Sequence, residues 1–169
     1  MIKMIGAISE KCDYYGIPLM VLAYPRKEMT TEFGTVDDNY LLDKKNNNDA
    51  YVKLVSHCVR IAVELGADIV KTHFTGNVET FSKVIQSANG KPVLIAGGEM
   101  MEELDILKLV RDSMSAGASG VCIGRNVFNA KSTENMISAL KCLMYNNESV
   151  ENAYKELNIC KERCFETNV

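Results

Sequence analysis

Residues Ala67–Phe74 read ADIVKTHF, and this octet decides the fold. Its apolar residues run without regular polar alternation, which suits a parallel strand covered on both faces. A helical pattern precedes it over Ala50–Leu65, with Val52, Val55, Val59 and Val63 near helical spacing. Gly66 then ends that helix as a C-cap would. A second helix is expected after the octet over Thr80–Ala88, stopping at Asn89-Gly90. The octet is therefore one strand in a strand–helix alternation.

The same rhythm extends in both directions. PLMVLAY (Pro18–Tyr24), PVLIAG (Pro92–Gly97) and GVCIG (Gly120–Gly124) read as three more strands. Helical spacing recurs over Glu102–Ala116 and Thr133–Tyr145, and a more polar helix over Ser149–Cys164 is expected to lie on the outside. Strand then helix, four times over, predicts an α/β protein built from parallel crossover units. An open doubly wound sheet and part of an eight-stranded barrel both satisfy that order. No strand is followed by G-x-G-x-x-G, and no Walker motif occurs, which weakens the nucleotide-binding sheet. Lys27–Asp49 breaks the rhythm: it is polar, contains Asn46-Asn47-Asn48 and shows no period. It reads as a surface insertion loop at about 27–49, with a lid over the strand ends as the alternative. The whole chain, 1–169, is expected to form one domain.

Composition narrows the function classes. The 169 residues are 47% apolar, enough for one packed core. With 19 basic and 22 acidic residues there is no positive excess to coat nucleic acid, so no nucleic-acid partner is expected. No apolar run approaches the ~18 residues of a membrane span, and the first residues lack the apolar core of a signal peptide. Cys12, Cys58, Cys122, Cys142, Cys160 and Cys164 form no C-x-x-C pair and read as reduced thiols of a cytoplasmic protein. No cluster has metal-ligand spacing, and neither a metal nor a cofactor is expected.

Lys71 is the most informative residue. Alternation puts Ile69, Lys71 and His73 on one face of the strand and Val70 and Thr72 on the other. A lysine turned into a barrel is partly desolvated, and desolvation favours the free amine that attacks carbonyls. The plainer reading is a packed stem with its head in water. Tyr24 ends its strand just before Pro25, where its phenol can exchange protons at the mouth of the sheet or simply cover the rim of the core. Ala96-Gly97-Gly98 and Gly124-Arg125 follow the last two strands. Glycine lets backbone N–H groups approach an anion, helices follow both turns, and Arg125 adds a fork for phosphate oxygens. His57 reads as a surface or boundary residue.

Together ELGADIVKTHFTGN (64–77), PVLIAGGE (92–99), AGASGVCIGRNVF (116–128) and GIPLMVLAYPR (16–26) resemble the archaeal-type class I aldolases. That family includes DeoC-like fructose-bisphosphate aldolases, aminodideoxyheptulosonate synthases and autoinducer-processing aldolases. The resemblance implies a TIM (β/α)8 barrel, here a partial barrel holding the last four strand–helix units. It implies that Lys71 forms a Schiff base with a phosphorylated ketose or ketone and that Tyr24 transfers the proton. It also implies that Ala96, Gly97, Gly98, Gly124 and Arg125 bind the phosphate. The family's Y-T-G-D reads Phe74-Thr75-Gly76-Asn77 here, and its Pro-Arg-Gly reads Pro25-Arg26-Lys27. A full barrel needs about 200 residues or more. The chain is therefore expected to need a complementary half, as a homo-oligomer or with a separate N-terminal chain. A non-catalytic phosphate-binding half-barrel and an inert assembly fragment are the alternatives to an active lyase.

Overall fold

The computed structural model describes residues 2–25, 27–31, 34–38 and 48–165. In chain order the elements are α1 (Ile2–Tyr15), β1 (Met20–Leu22), β2 (Lys27–Thr31), β3 (Gly34–Asp38), α2 (Asn48–Glu64) and β4 (Ile69–Thr72). There follow α3 (Val78–Ser87), β5 (Val93–Ala96), α4 (Glu103–Ser115), β6 (Gly120–Cys122), α5 (Arg125–Phe128), α6 (Thr133–Tyr145) and α7 (Val150–Phe165). Strands β1, β4, β5 and β6 lie side by side in chain order, and every pairing is parallel. Each successive strand is thus reached by a helical crossover, as the sequence rhythm predicts.

Register fixes which side chains share a face. Leu22 pairs with Lys71, Lys71 with Leu94, and Leu94 with Gly120. The offset row runs Val70–Val93 and Thr72–Ile95, and these four are 0–1% exposed beneath the helices. That layer packs Tyr51, Val55 and Val59 of α2, Phe81 and Val84 of α3, Ile106, Leu107 and Val110 of α4, and Met136 and Leu143 of α6. Burial of each large apolar side chain contributes about 1.5–3 kcal/mol.

The opposite face differs from the expectation of strands covered on both sides. On it Met20 and Leu22 remain 40% and 55% exposed, and Ile69, Lys71 and Leu94 are half-buried. The strands are rich in apolar residues on both faces, but only the Val70–Thr72 face is fully buried here. Residues 27–31 and 34–38 pair as an antiparallel hairpin, where the sequence reading expected an unpatterned loop. The β-branched residues Thr30, Thr31, Thr35 and Val36 favour strands, yet a hairpin so rich in polar residues gives no hydrophobic period. The rest of the expected insertion, apart from Asn48 and Asp49 in α2, lies outside the described residues. Helix α7 is not purely an outer helix: Ala153 and Leu157 are buried, and the Asn135 amide of α6 donates to the Leu157 carbonyl at 3.3 Å.

Two local devices hold the sheet's starting edge. Gly66 ends the α2 segment at φ +94°, and a Cβ there would collide with Ser9 of α1, so glycine lets α1 close in. Asp68 accepts from the Leu19 backbone N–H at 2.9 Å and from Lys91 at 3.3 Å, tying the entry to β1 to β4 and to the turn before β5. The Leu19 N–H, helped by Lys91, holds this carboxyl below the ordinary aspartate value. Its contribution to stability is therefore complete above the unfolded value of about 3.9 and is lost as pH falls through the lower folded value. Asp68→Ala is expected to lower Tm at pH 7, and the gap from the parent should narrow as the melts are taken to pH 3 and below. A gap that is constant with pH would contradict this tie.

Candidate active site

The carboxyl ends of the four parallel strands surround a cavity of about 320 Å³, lined by Tyr24, Lys71, His73, Ala96, Gly97, Gly98, Cys122, Gly124, Arg125 and Asn126. Sheet pleat explains the lysine. Val70 and Thr72 are committed to the helix layer, so Lys71 between them must project from the other face. There it is half-buried, with Leu22 and Leu94 as its sheet neighbours.

Tyr24 is placed by the residue before it. The Ala23 N–H donates to the Lys71 carbonyl at 2.9 Å, and the buried Thr72 hydroxyl donates to the Ala23 carbonyl at 2.7 Å. These bonds carry the β1–β4 pairing one residue past β1 and deliver Tyr24 beside His73. The two rings lie 4.4 Å apart, tilted by 39°. Among the described residues no group of three His, Cys, Asp or Glu side chains could hold a metal ion.

The two glycine turns meet across the cavity from Tyr24. Gly97 has no room for a side chain: a Cβ would stand 2.7 Å from Ile123 Cγ2. Gly98 adopts φ +67°, a left-handed conformation, in open space. Arg125 donates to the Gly98 carbonyl at 2.9 Å, which bridges the turn after β5 to the turn after β6. Buried Asn126 donates to the carbonyls of Gly97 and Glu99 at 3.2 and 2.8 Å and accepts from the Met101 N–H at 2.8 Å.

Every residue singled out in the sequence for the site lies on this cavity: Lys71, Tyr24, Ala96, Gly97, Gly98, Gly124 and Arg125. The helix starts fare differently. α4 begins five residues beyond Gly98 and carries Glu103 and Asp105 in its first turn, so its N-terminus is already supplied with carboxylates. α5 is a single four-residue turn. Cys122 and Asn126 also line the cavity, and neither stood out in the sequence. Strand alternation from Gly120 finds Cys122, whereas Asn126 needs the fold of two distant turns. His57 is exposed on α2, as expected. Two departures from the family pattern lie outside the cavity lining: Phe74 packs edge-on against Phe81 in the core, and Asn77 caps α3 by accepting from the Thr80 N–H. Aspartate and asparagine serve about equally as caps. Arg26 lies outside the described residues.

Comparison with known proteins identifies the lineage. Residues 1–130 match the family model described as DeoC/LacD family aldolase. The chain belongs to this family. A 2-amino-3,7-dideoxy-D-threo-hept-6-ulosonate synthase of Archaeoglobus fulgidus is 37% identical over 150 residues, covering 89% of this chain and 49% of that protein. A 2-amino-4,5-dihydroxy-6-oxo-7-(phosphonooxy)heptanoate synthase of Streptomyces griseus is 35% identical over 84% of this chain and 46% of its own length. The crystal structure of an archaeal fructose 1,6-bisphosphate aldolase aligns with TM-score 0.71 at 33% identity, over 86% of this chain and 52% of that one. An archaeal fructose-1,6-bisphosphate aldolase with its catalytic lysine bound to the substrate's carbinolamine intermediate aligns at 0.70 and 32% identity. These solved relatives are TIM-barrel aldolases, so the four-unit sheet is a partial barrel of that type. The chain spans about half the length of the curated relatives it matches.

In this member of the DeoC/LacD aldolase family the left-handed turn offers a clean measurement. Space around Gly98 is open, so Gly98→Ala introduces backbone strain without a clash. The substitution should cost about 1–2 kcal/mol in chemical denaturation. A cost below about 0.3 kcal/mol would show that the turn does not hold φ +67° in solution.

Proposed function

We propose that this cavity carries Schiff-base aldol chemistry on a ketose phosphate or a related phosphorylated carbonyl compound. The observation behind the reading is that Lys71 shares one cavity with Tyr24 on one side and with Arg125 and the glycine turns on the other. An amine, a phenol and an anion cradle are the parts that such a reaction needs. The solved relatives described as Schiff-base-forming and as carrying a lysine-bound carbinolamine support it.

In this reading the free amine of Lys71 adds to the substrate carbonyl. The carbinolamine takes up a proton at its hydroxyl and loses water, leaving an iminium, which withdraws electrons from the adjoining carbon. Tyr24 as phenolate takes the proton from the hydroxyl of the next carbon. The bonding pair of the breaking carbon–carbon bond moves into the iminium, releasing an aldehyde and leaving an enamine. The enamine carbon takes that proton back from Tyr24, and water hydrolyses the resulting iminium, restoring the free amine and releasing the proton taken up at dehydration. The phosphate, held by the Ala96–Gly98 backbone, Gly124 and Arg125, keeps the reacting carbons in register and supplies binding energy.

One observation favours a second reading. The residues proposed to hold the phosphate run from the end of β5 to the start of α5 and line one cavity, whereas Met20 and Leu22 on the lysine side of the sheet are exposed. A phosphate-binding, non-catalytic half-barrel would keep the cradle alone. For the catalytic reading, we propose that the open face is covered in the working assembly, by a second copy or by a chain carrying the complementary strands along the β1 and β6 edges. A cytoplasmic setting fits the free thiols of Cys12, Cys58, Cys122 and Cys142. Burial pushes the Cys58 thiol up from its ordinary value, which keeps it in the unreactive protonated form.

Borohydride reduction in the presence of fructose 1,6-bisphosphate or dihydroxyacetone phosphate, followed by peptide mapping, should place one adduct on Lys71. Phosphate-dependent stabilisation without any adduct in the assembled sample would leave only the cradle reading. Sedimentation should show an oligomer or a complex, and a stable free monomer of 18.8 kDa would count against the covered face.

A further inference from the structure

Resting on the phosphate reading of the cavity, we infer that Asn126 is the positioning residue that turns the Gly98–Met100 backbone N–H groups into an anion receptor. Asn126 is 4% exposed, so its polar groups are available to the protein and not to bulk water. All three of its bonds go to one short segment: out to the carbonyls of Gly97 and Glu99, and in from the Met101 N–H. The Gly98 carbonyl between them is held by Arg125. Three consecutive carbonyls are therefore engaged by side chains from the turn after β6.

The consequence follows from peptide geometry. None of the described peptide bonds is cis, and in a trans peptide the C=O of one residue points opposite to the N–H of the next. Drawing the carbonyls of 97, 98 and 99 toward Asn126 and Arg125 turns the N–H groups of Gly98, Glu99 and Met100 to the other side of the segment. None of these three N–H groups has a hydrogen-bond acceptor among the described residues. The left-handed φ at Gly98 gives the segment the curvature in which successive N–H groups converge, the arrangement of an anion-binding nest. Gly98 itself lines the cavity that holds Lys71. Asn126 carries no charge and contributes none to the anion; its part is to spend the carbonyls so that the donors are left over. That division of labour separates it from Arg125, whose guanidinium brings charge as well as a bond.

The test uses inorganic phosphate with the full chain, at a temperature where each variant is folded by circular dichroism. In the parent, phosphate should move the amide resonances of Gly98, Glu99 and Met100, while the Met101 amide stays fixed and protected from exchange. Asn126→Ala should weaken phosphate about tenfold while leaving the salt dependence of binding unchanged. Arg125→Ala should weaken it and flatten the salt dependence, because a charge is removed. A merely structural asparagine would lower Tm and leave the phosphate Kd alone. An Asn126→Ala protein that is folded and binds within twofold of the parent overturns the inference. So do parent shifts confined to residues outside 98–100, a result that needs no variant to fold. A parent that binds no phosphate overturns the phosphate reading, and this role with it.

Discussion

The pleat of β4 is the constraint from which the rest follows. Val70 and Thr72 are sealed against the helices, and a strand has only two faces. Lys71 is thereby held on the open face, two residues from His73, at the end of the sheet where the loops gather. Slipping β4 by one residue would drive the lysine into the helix layer and expose Val70 and Thr72. Apolar packing on the far side of the sheet therefore determines which side chain meets the cavity.

The same economy holds at the neighbouring strands. The Thr72 hydroxyl, on the helix side, reaches the Ala23 carbonyl and so sets where Tyr24 begins. The turn after β5 takes its shape from Arg125 and Asn126, which belong to the turn after β6. Tyr24 and the turn after β5 are thus placed by bonds from the adjacent unit, whereas the pleat of its own strand places Lys71. That explains how a chain spanning about half the length of its relatives gathers these residues around one cavity: the contacts that order the turns lie between consecutive units within it.

Much of this was legible in the sequence for physical reasons. Val52, Val55 and Val59 keep helical spacing because α2 lies on a sheet, and ADIVKTHF reads as a strand because its neighbours are strands too. Lys71, Tyr24 and the two glycine turns stand out because they interrupt apolar runs at strand ends. Three things were hidden. The β2–β3 hairpin carries no apolar period. The bare face of the sheet cannot be told from a covered one, since a barrel strand is apolar on both sides. Asn126 looks like any asparagine after a turn, because its value lies in carbonyls 27 to 29 residues away. The family's phenol and carboxylate are replaced here by Phe74 and Asn77. They prove to be a core ring and a helix cap.

Whether Lys71 and the glycine turns act on one molecule at once can be read by titrating the assembled protein with dihydroxyacetone phosphate carrying ¹³C at its carbonyl. An imine carbon resonance should appear, vanish in Lys71→Arg, and be displaced by excess inorganic phosphate competing at the glycine turns. An imine that forms equally well with unphosphorylated dihydroxyacetone and ignores added phosphate would contradict the account.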